Sequence, residues 1–206
     1  MDWPVKGVVQ KILSHAPGGF WINDRLQTSV GDLRNFDRTV DGKVTGDWIV
    51  LAGHFRELGM RIEGMDILEI GSGWFPTLPL CFHLAGVASC RTYDLTRHMN
   101  EGHTFRCLRR LEAHLAAIAA ATETPLEAVR KRYRTLLGAS GLGELLERAR
   151  IFYSEPADAT KTGLPGAALD MVYSNSVLEH VPEPVIAKMM AETLRILKPG
   201  GAPCTA

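Results

Sequence analysis

The sequence has no C-x-x-C pair among its four cysteines, Cys81, Cys90, Cys107 and Cys204, so neither a zinc ribbon nor a disulfide framework is expected. It has no net charge. Lys plus Arg and Asp plus Glu both total 23, which leaves no global field for holding a polyanion or a membrane surface. Nucleic acid and membranes are not expected partners, no metal is expected, and no apolar run approaches the length of a membrane span. The opening MDWPVKGVVQKILSHAPGGF lacks the long apolar core of a secretory signal, which makes a reducing cytoplasm the expected setting. Internal repeats and low-complexity tracts are also missing.

What is there fits one sizeable core with a modest accessory region, as expected for 206 residues. A short helix is predicted over 4–15 and a second short, half-apolar segment over 20–27, separated by the PGG at 17–19. From Asp47 the pattern sharpens, with Trp48, Leu51, Ala52, Phe55 and Leu58 at helical spacing and Gly59 as a stop. The run MDILEI (65–70) then reads as a buried parallel strand, LPLCFHLAG as a helix ending at Gly86, and ASCRTYDL as a second strand ending at Asp94. Strand, glycine turn, helix and strand make one βαβ unit, so the sheet is expected to be parallel.

A third strand, near 150–154, comes only after a long helical stretch. Phe105, Leu108, Leu111, Leu115 and Ile118 mark one helix there, and Thr124, Pro125 and Glu127 read as the capping box of another running to about Gly138. That is far more chain than a crossover needs, so residues at about 100–149 are expected to form an inserted helical cap. LDMVYSN (169–175) is a fourth strand, PEPVIAKMMAETLRIL a helix, and KPGG the turn into a fifth strand that the chain barely begins.

The stretch ILEIGSGWFP (67–76) raises the question of a ligand. Small residues between a strand and a helix N-terminus let backbone N–H groups approach a bound group closely. A dinucleotide loop keeps a third glycine, but the position is Pro76 here, and a pyrophosphate would be a poor neighbour for Glu69. A zwitterionic amino-acid tail, such as that of S-adenosylmethionine, suits an acid beside loop N–H groups better; a plain tight turn is the bland alternative. Asp94, at the end of the second strand, can accept both hydroxyls of a ribose, which either nucleoside cofactor would bring, or can simply cap the next helix. Asp158 with the N–H of Ala159 could meet the edge of an adenine, though alone Asp158 reads as a loop residue.

Taken together, ILEIGSGWFP, YDLTRH, PADA, LDMVYSNSVLEHVPEP and LRILKPGG resemble the class I S-adenosylmethionine-dependent methyltransferases in order and interval, over about residues 62–202. The resemblance implies a doubly wound α/β fold with a mostly parallel, Rossmann-like sheet. It divides the chain into a helical N-terminal extension, 1–61, and a methyltransferase-like domain, 62–206, and it implies S-adenosylmethionine as cofactor with a small-molecule acceptor. By family role, Glu69, Gly71, Ser72 and Gly73 fall at the methionine tail, and Asp94 and Leu95 at the nucleoside. Asp158 and Ala159 fall at the adenine, and Ser174, Asn175 and Ser176 on the loop that passes the cofactor. If the acceptor is a hydroxyl, His180 is the nearest candidate base and His98 a weaker one.

Three departures stand out. Trp74, Phe75 and Pro76 make the first loop bulky, with Trp74 and Phe75 expected to pack in the core. The helical insertion is long, as in relatives whose cap forms a substrate lid. Its nine Lys and Arg exceed its six Glu by three, which hints at an acidic acceptor or simply at solvated helix faces. The sheet is also expected to be cut after the start of strand five, leaving an exposed edge and self-association as one outcome. A truncated, non-catalytic relative that binds cofactor or a partner chain is the alternative function, and a nicotinamide oxidoreductase a third.

Overall fold

The structure, a computed structural model, describes residues 35–205, so the segments expected over 4–15 and 20–27 lie outside the described residues. Two compact units are distinguished, 1–39 and 40–206. Of the first, only Asn35–Thr39 is described, a helical turn in which the Thr39 hydroxyl donates to the Asn35 carbonyl at 3.3 Å. Apart from the start of the first helix, everything below concerns the second.

Helix α1 (Phe36–Gly42) passes directly into a π-helical turn, Lys43–Trp48, and then into α2 (Ile49–Glu57). The helix therefore starts well before Asp47, because its buried stripe extends back from Trp48 through Val44 to Val40. Leu58, expected on that stripe, is 59% exposed because α2 has already ended and the chain reverses at Gly59, φ +66°.

The sheet is five-stranded and wholly parallel, in the order β3-β2-β1-β4-β5. Its strands are β1 (Asp66–Ile70), β2 (Ser89–Tyr93), β3 (Ile151–Ser154), β4 (Leu169–Ser174) and β5 (Leu197–Thr205). Strand β1 is covered on both faces, which is why it reads as an apolar run rather than an alternation. On one face Leu68 and Ile70 pack with Val172 of β4 and with Met189 and Ile196 of the helix that joins β4 to β5 (Glu183–Ile196). On the other, Phe82 of α3 (Thr77–Ala85) lies between Trp48 and Tyr173, each with its ring 4.9 Å away.

Between β2 and β3 lie α4 (Glu101–Leu111), a 3-10 turn (Glu112–His114), α5 (Leu115–Ala121), α6 (Leu126–Leu137) and α7 (Leu142–Arg148). The single helix expected from Phe105 to Ile118 is thus interrupted, and α4 is capped by Asn100, whose side chain accepts from the His103 N–H at 2.9 Å. A cap of this kind contributes about 1 kcal/mol. The expected capping box at α6 does not form. Thr124 instead donates its hydroxyl to the Ala85 carbonyl at 3.2 Å, tying the α5–α6 turn to the end of α3. Helices α5 and α6 pack on α3, α5 also on α2, and α7 on β3, so the insertion is built into the layer on that face of the sheet.

The helix Glu183–Ile196 is α8, and it leads straight into β5. That strand runs further than expected: KPGG is not a turn before it but part of it. Leu197 pairs with Leu169, and after an irregularity that takes up the extra residues, Ala202–Thr205 pair with Met171–Ser174.

Candidate functional site

Strand β1 lies where the order of the sheet reverses, with β2 on one side and β4 on the other. In open α/β sheets this switch point opens a crevice beyond the carboxyl ends of the strands. Every residue predicted for the site lies at or near those ends.

Glu69 is 4% exposed and sits in one row across three strands, opposite Thr92 of β2 and Tyr173 of β4. Both neighbours turn their hydroxyls to it, Thr92 donating to Oε2 at 2.6 Å and Tyr173 to Oε1 at 3.1 Å. The Thr92 hydroxyl also lies 2.6 Å from that of Ser72, linking the acid to the glycine loop. Burial pushes the Glu69 carboxyl up to about 7, against the opposing pull of the Thr92 hydrogen bond, the Lys43 charge and the Tyr173 hydrogen bond.

The loop after β1 needs its glycines. Gly71 has φ +90°, and a side chain there would run into Val177, whose methyl group lies over it from the loop after β4. Gly73, φ +62°, has open space where a side chain would begin. Its N–H donates to Asp94 Oδ2 at 3.2 Å, while Asp94 Oδ1 accepts from the Thr96 N–H at 3.2 Å. Phe75 packs in the core as expected, whereas Trp74 is only half-buried and lies with its ring 4.9 Å from that of His98. Burial lowers the His98 pKa, with the Asp94 charge acting the other way.

The remaining predicted residues follow β2, β3 and β4 at or after their carboxyl ends, with different degrees of exposure. Leu95 is 72% exposed. Asp94 accepts at its carbonyl from the Ala157 N–H at 2.8 Å, which brings the loop carrying Asp158 and Ala159 alongside. Asp158 itself is exposed, and its Oδ1 accepts from the N–H and hydroxyl of Thr160, which lower its pKa. Ser174 and Asn175 are buried at the end of β4, and Ser176 is exposed at φ +53°. His180 stands on an exposed 3-10 turn (Leu178–His180), its Nε2 3.3 Å from Glu179 Oε1, and is not drawn into the cluster around Glu69 and Asp94.

Sequence reasoning missed four neighbours of this cluster. Thr92 and Tyr173 left a signal, since each is a polar group on the buried row of an otherwise apolar strand. Lys43 and Asp47 left none: Lys43 Nζ donates to Asn175 Oδ1 at 2.7 Å and Asn175 Nδ2 donates to Asp47 Oδ2 at 2.9 Å, across 132 and 128 residues of chain. Among the described residues no group of three or more metal-ligating side chains occurs, and no helix is long and apolar enough to cross a membrane.

A family model described as a methyltransferase domain matches residues 102–204, half of the chain. The chain belongs to the methyltransferase family. The cofactor of this methyltransferase domain is S-adenosylmethionine. No curated protein sequence matches the chain. A protein of Methanococcus maripaludis assigned as an S-adenosyl-L-methionine-dependent methyltransferase shares the fold, at TM-score 0.50 and 17% identity, over 84% of this chain and 61% of that one. A protein of Galdieria sulphuraria assigned as a sarcosine dimethylglycine methyltransferase aligns at TM-score 0.45 and 15% identity, over 78% of this chain and 45% of that one. A glycopeptide N-methyltransferase solved with S-adenosylhomocysteine aligns at 0.41 and 17%, over 75% and 47%. The methyltransferase domain thus covers 61% or less of the length of these structures.

The residues present fit the cofactor. Gly71 lets the loop turn under Val177, Gly73 leaves open space beside its N–H, and the Asp94 carboxylate keeps acceptor capacity beyond its two backbone bonds.

Proposed function

We propose that this methyltransferase domain transfers a methyl group from S-adenosylmethionine to a small-molecule acceptor. The observation that carries the reading is the meeting of Glu69, the Gly71–Gly73 loop and Asp94 at the switch point of a parallel sheet, with the loop amide itself fastened to the Asp94 carboxylate. In this reading Glu69, Gly71, Ser72 and Gly73 border the amino-acid tail, and Asp94 takes the ribose hydroxyls on its remaining lone pairs. Leu95 offers its exposed side chain to a face of the adenine, Asp158 and the Ala159 N–H meet the adenine edge, and Ser174, Asn175 and Ser176 line the passage beside β4.

When bound, the cofactor supplies a methyl group already activated by its sulfonium. The protein then chiefly needs to align the acceptor and exclude water. An acceptor hydroxyl must also lose a proton, and His180, exposed beyond β4, is the proposed base for that case.

Calorimetric titration with S-adenosylhomocysteine tests the reading, alongside Asp94→Ala. Saturable binding that the variant weakens at least tenfold is the expected result. A folded protein that takes up no S-adenosylhomocysteine overturns it.

A further inference from the structure

Lys43 and Asp47 lie one turn apart on the π-helical segment, and each directs its charge at the same carboxamide. Lys43 donates to its oxygen and Asp47 accepts from its nitrogen. Among the described residues the two do not pair with each other or with any other charged side chain, and one amide stands between them. The arrangement is unusual in its backbone as well. π-Helical turns are rare and occur most often at functional sites, and Lys43 and Asp47, four residues apart, fall on one side of this one.

The order of the groups has a chemical meaning. A carboxamide seated between an ammonium and a carboxylate offers an acceptor to the first and a donor to the second. The head of an α-amino acid offers the same two things with the same polarity: a carboxylate oxygen and an ammonium nitrogen on one carbon, set about as close together as the oxygen and nitrogen of an amide. Asn175 thus holds between Lys43 and Asp47 the pattern of an amino-acid head group. Asn175 is also the first residue beyond β4, and Lys43 is near enough to Glu69 for its charge to act on that carboxyl. The cluster therefore lies at the carboxyl end of β4, beside the residues assigned to the methionine tail.

Glu69 is poorly suited to be the tail's only anionic partner. Both of its oxygens already accept hydroxyl protons, and it lies beneath the loop, away from solvent. Asp47 is half-buried, with one oxygen engaged by the Asn175 amide.

We propose that Lys43 and Asp47 bind the amino-acid head of the cofactor, Lys43 Nζ taking its carboxylate and Asp47 its ammonium, with the Asn175 amide yielding its place between them. This rests on the reading of the crevice as the S-adenosylmethionine site and names which residues read its zwitterionic end. It makes the helical segment before the sheet part of the cofactor site.

The test uses two ligands that differ at that end. S-Adenosylhomocysteine carries the amino-acid head, whereas 5′-methylthioadenosine keeps the nucleoside and the thioether without it. Both are titrated calorimetrically into the wild type, Lys43→Met, Lys43→Arg and Asp47→Asn, with thermal melts to show that each is folded. Lys43→Met and Asp47→Asn are each expected to weaken S-adenosylhomocysteine about ten- to a hundredfold, the range of a charge-assisted hydrogen bond, and to leave methylthioadenosine within about threefold. Lys43→Arg, which keeps the charge, retains most of the affinity, and with Asp47→Asn it decides the matter if Lys43→Met does not fold. Equal losses for the two ligands would mark a structural role and overturn the proposal, as would unchanged or tighter S-adenosylhomocysteine binding. A wild type that binds neither ligand rejects the cofactor site itself, a different failure.

Discussion

Val177, on the loop after β4, closes over Gly71, on the loop after β1, so that no side chain can be accommodated at residue 71. Gly71→Ala adds both this clash and an alanine held at φ +90°. Together these are expected to cost about 2–4 kcal/mol in denaturant unfolding and to abolish measurable S-adenosylhomocysteine binding. Adding Val177→Ala removes the clash but not the backbone strain, so the double variant should recover only part of the loss, a non-additivity that a double-mutant cycle measures.

Glu69 sets a pH dependence of known sign. Burial raises its carboxyl from the ordinary 4.5 to about 7 in the folded chain, so between those limits the native state holds the proton more tightly than the unfolded chain. Stability from this group is therefore lost as pH rises through that window, by about 3 kcal/mol in all. Glu69→Gln keeps a hydrogen-bonding partner for Thr92 and Tyr173 without the charge. Its unfolding free energy between pH 4.5 and 8 should fall less steeply than that of the wild type, and at pH 8 the variant should be the more stable of the two.

Helix α1 is fastened to the insertion by Asp41. Its carboxylate accepts from Arg110 at 2.7 and 2.6 Å and pairs with His114 at 2.7 Å, and these bonds, the Arg110 pair first, hold its pKa at about 2 despite partial burial. Asp41→Asn should destabilise the fold by about 1 kcal/mol, because the Arg110 side chain is 39% exposed and solvent screens the pair. The difference from wild type should shrink as pH falls below 4 towards 2, where the wild-type carboxylate takes up its proton.

His180 separates two kinds of acceptor. If the substrate is a hydroxyl compound and His180 is its base, His180→Ala should lower kcat by about a hundredfold or more, with S-adenosylhomocysteine affinity unchanged. For a thiolate or amine acceptor, kcat should change less than about threefold.

The parts of this molecule legible in the sequence are those whose cause is local. The apolar run of β1, the glycines after it and the acid ending β2 each follow from a few consecutive residues, and the parallel sheet follows from the βαβ unit they form. Pro199, Gly200 and Gly201 signal a turn in the sequence, whereas strand β5 carries them in an irregular stretch and pairs again beyond. Thr124 looked like a helix cap because its spacing to Glu127 is right, but the Ala85 carbonyl was the stronger partner once the chain folded. Lys43 and Asp47 were invisible for a related reason: their meaning depends on Asn175, which only the tertiary fold brings to them.

Glu69 meets Tyr173 across 104 residues of chain, and Lys43 meets Asn175 across 132. A ribosome making this protein releases the helical segment, the glycine loop and Asp94 long before β4 emerges, so the early chain lacks the wall that would retain a nucleoside. Ligand capture can begin only once β4 has been made. From then on, any compound that prefers the closed crevice pulls the equilibrium towards the folded chain by mass action, so that a supply of cofactor would favour the state in which β4 is settled against β1.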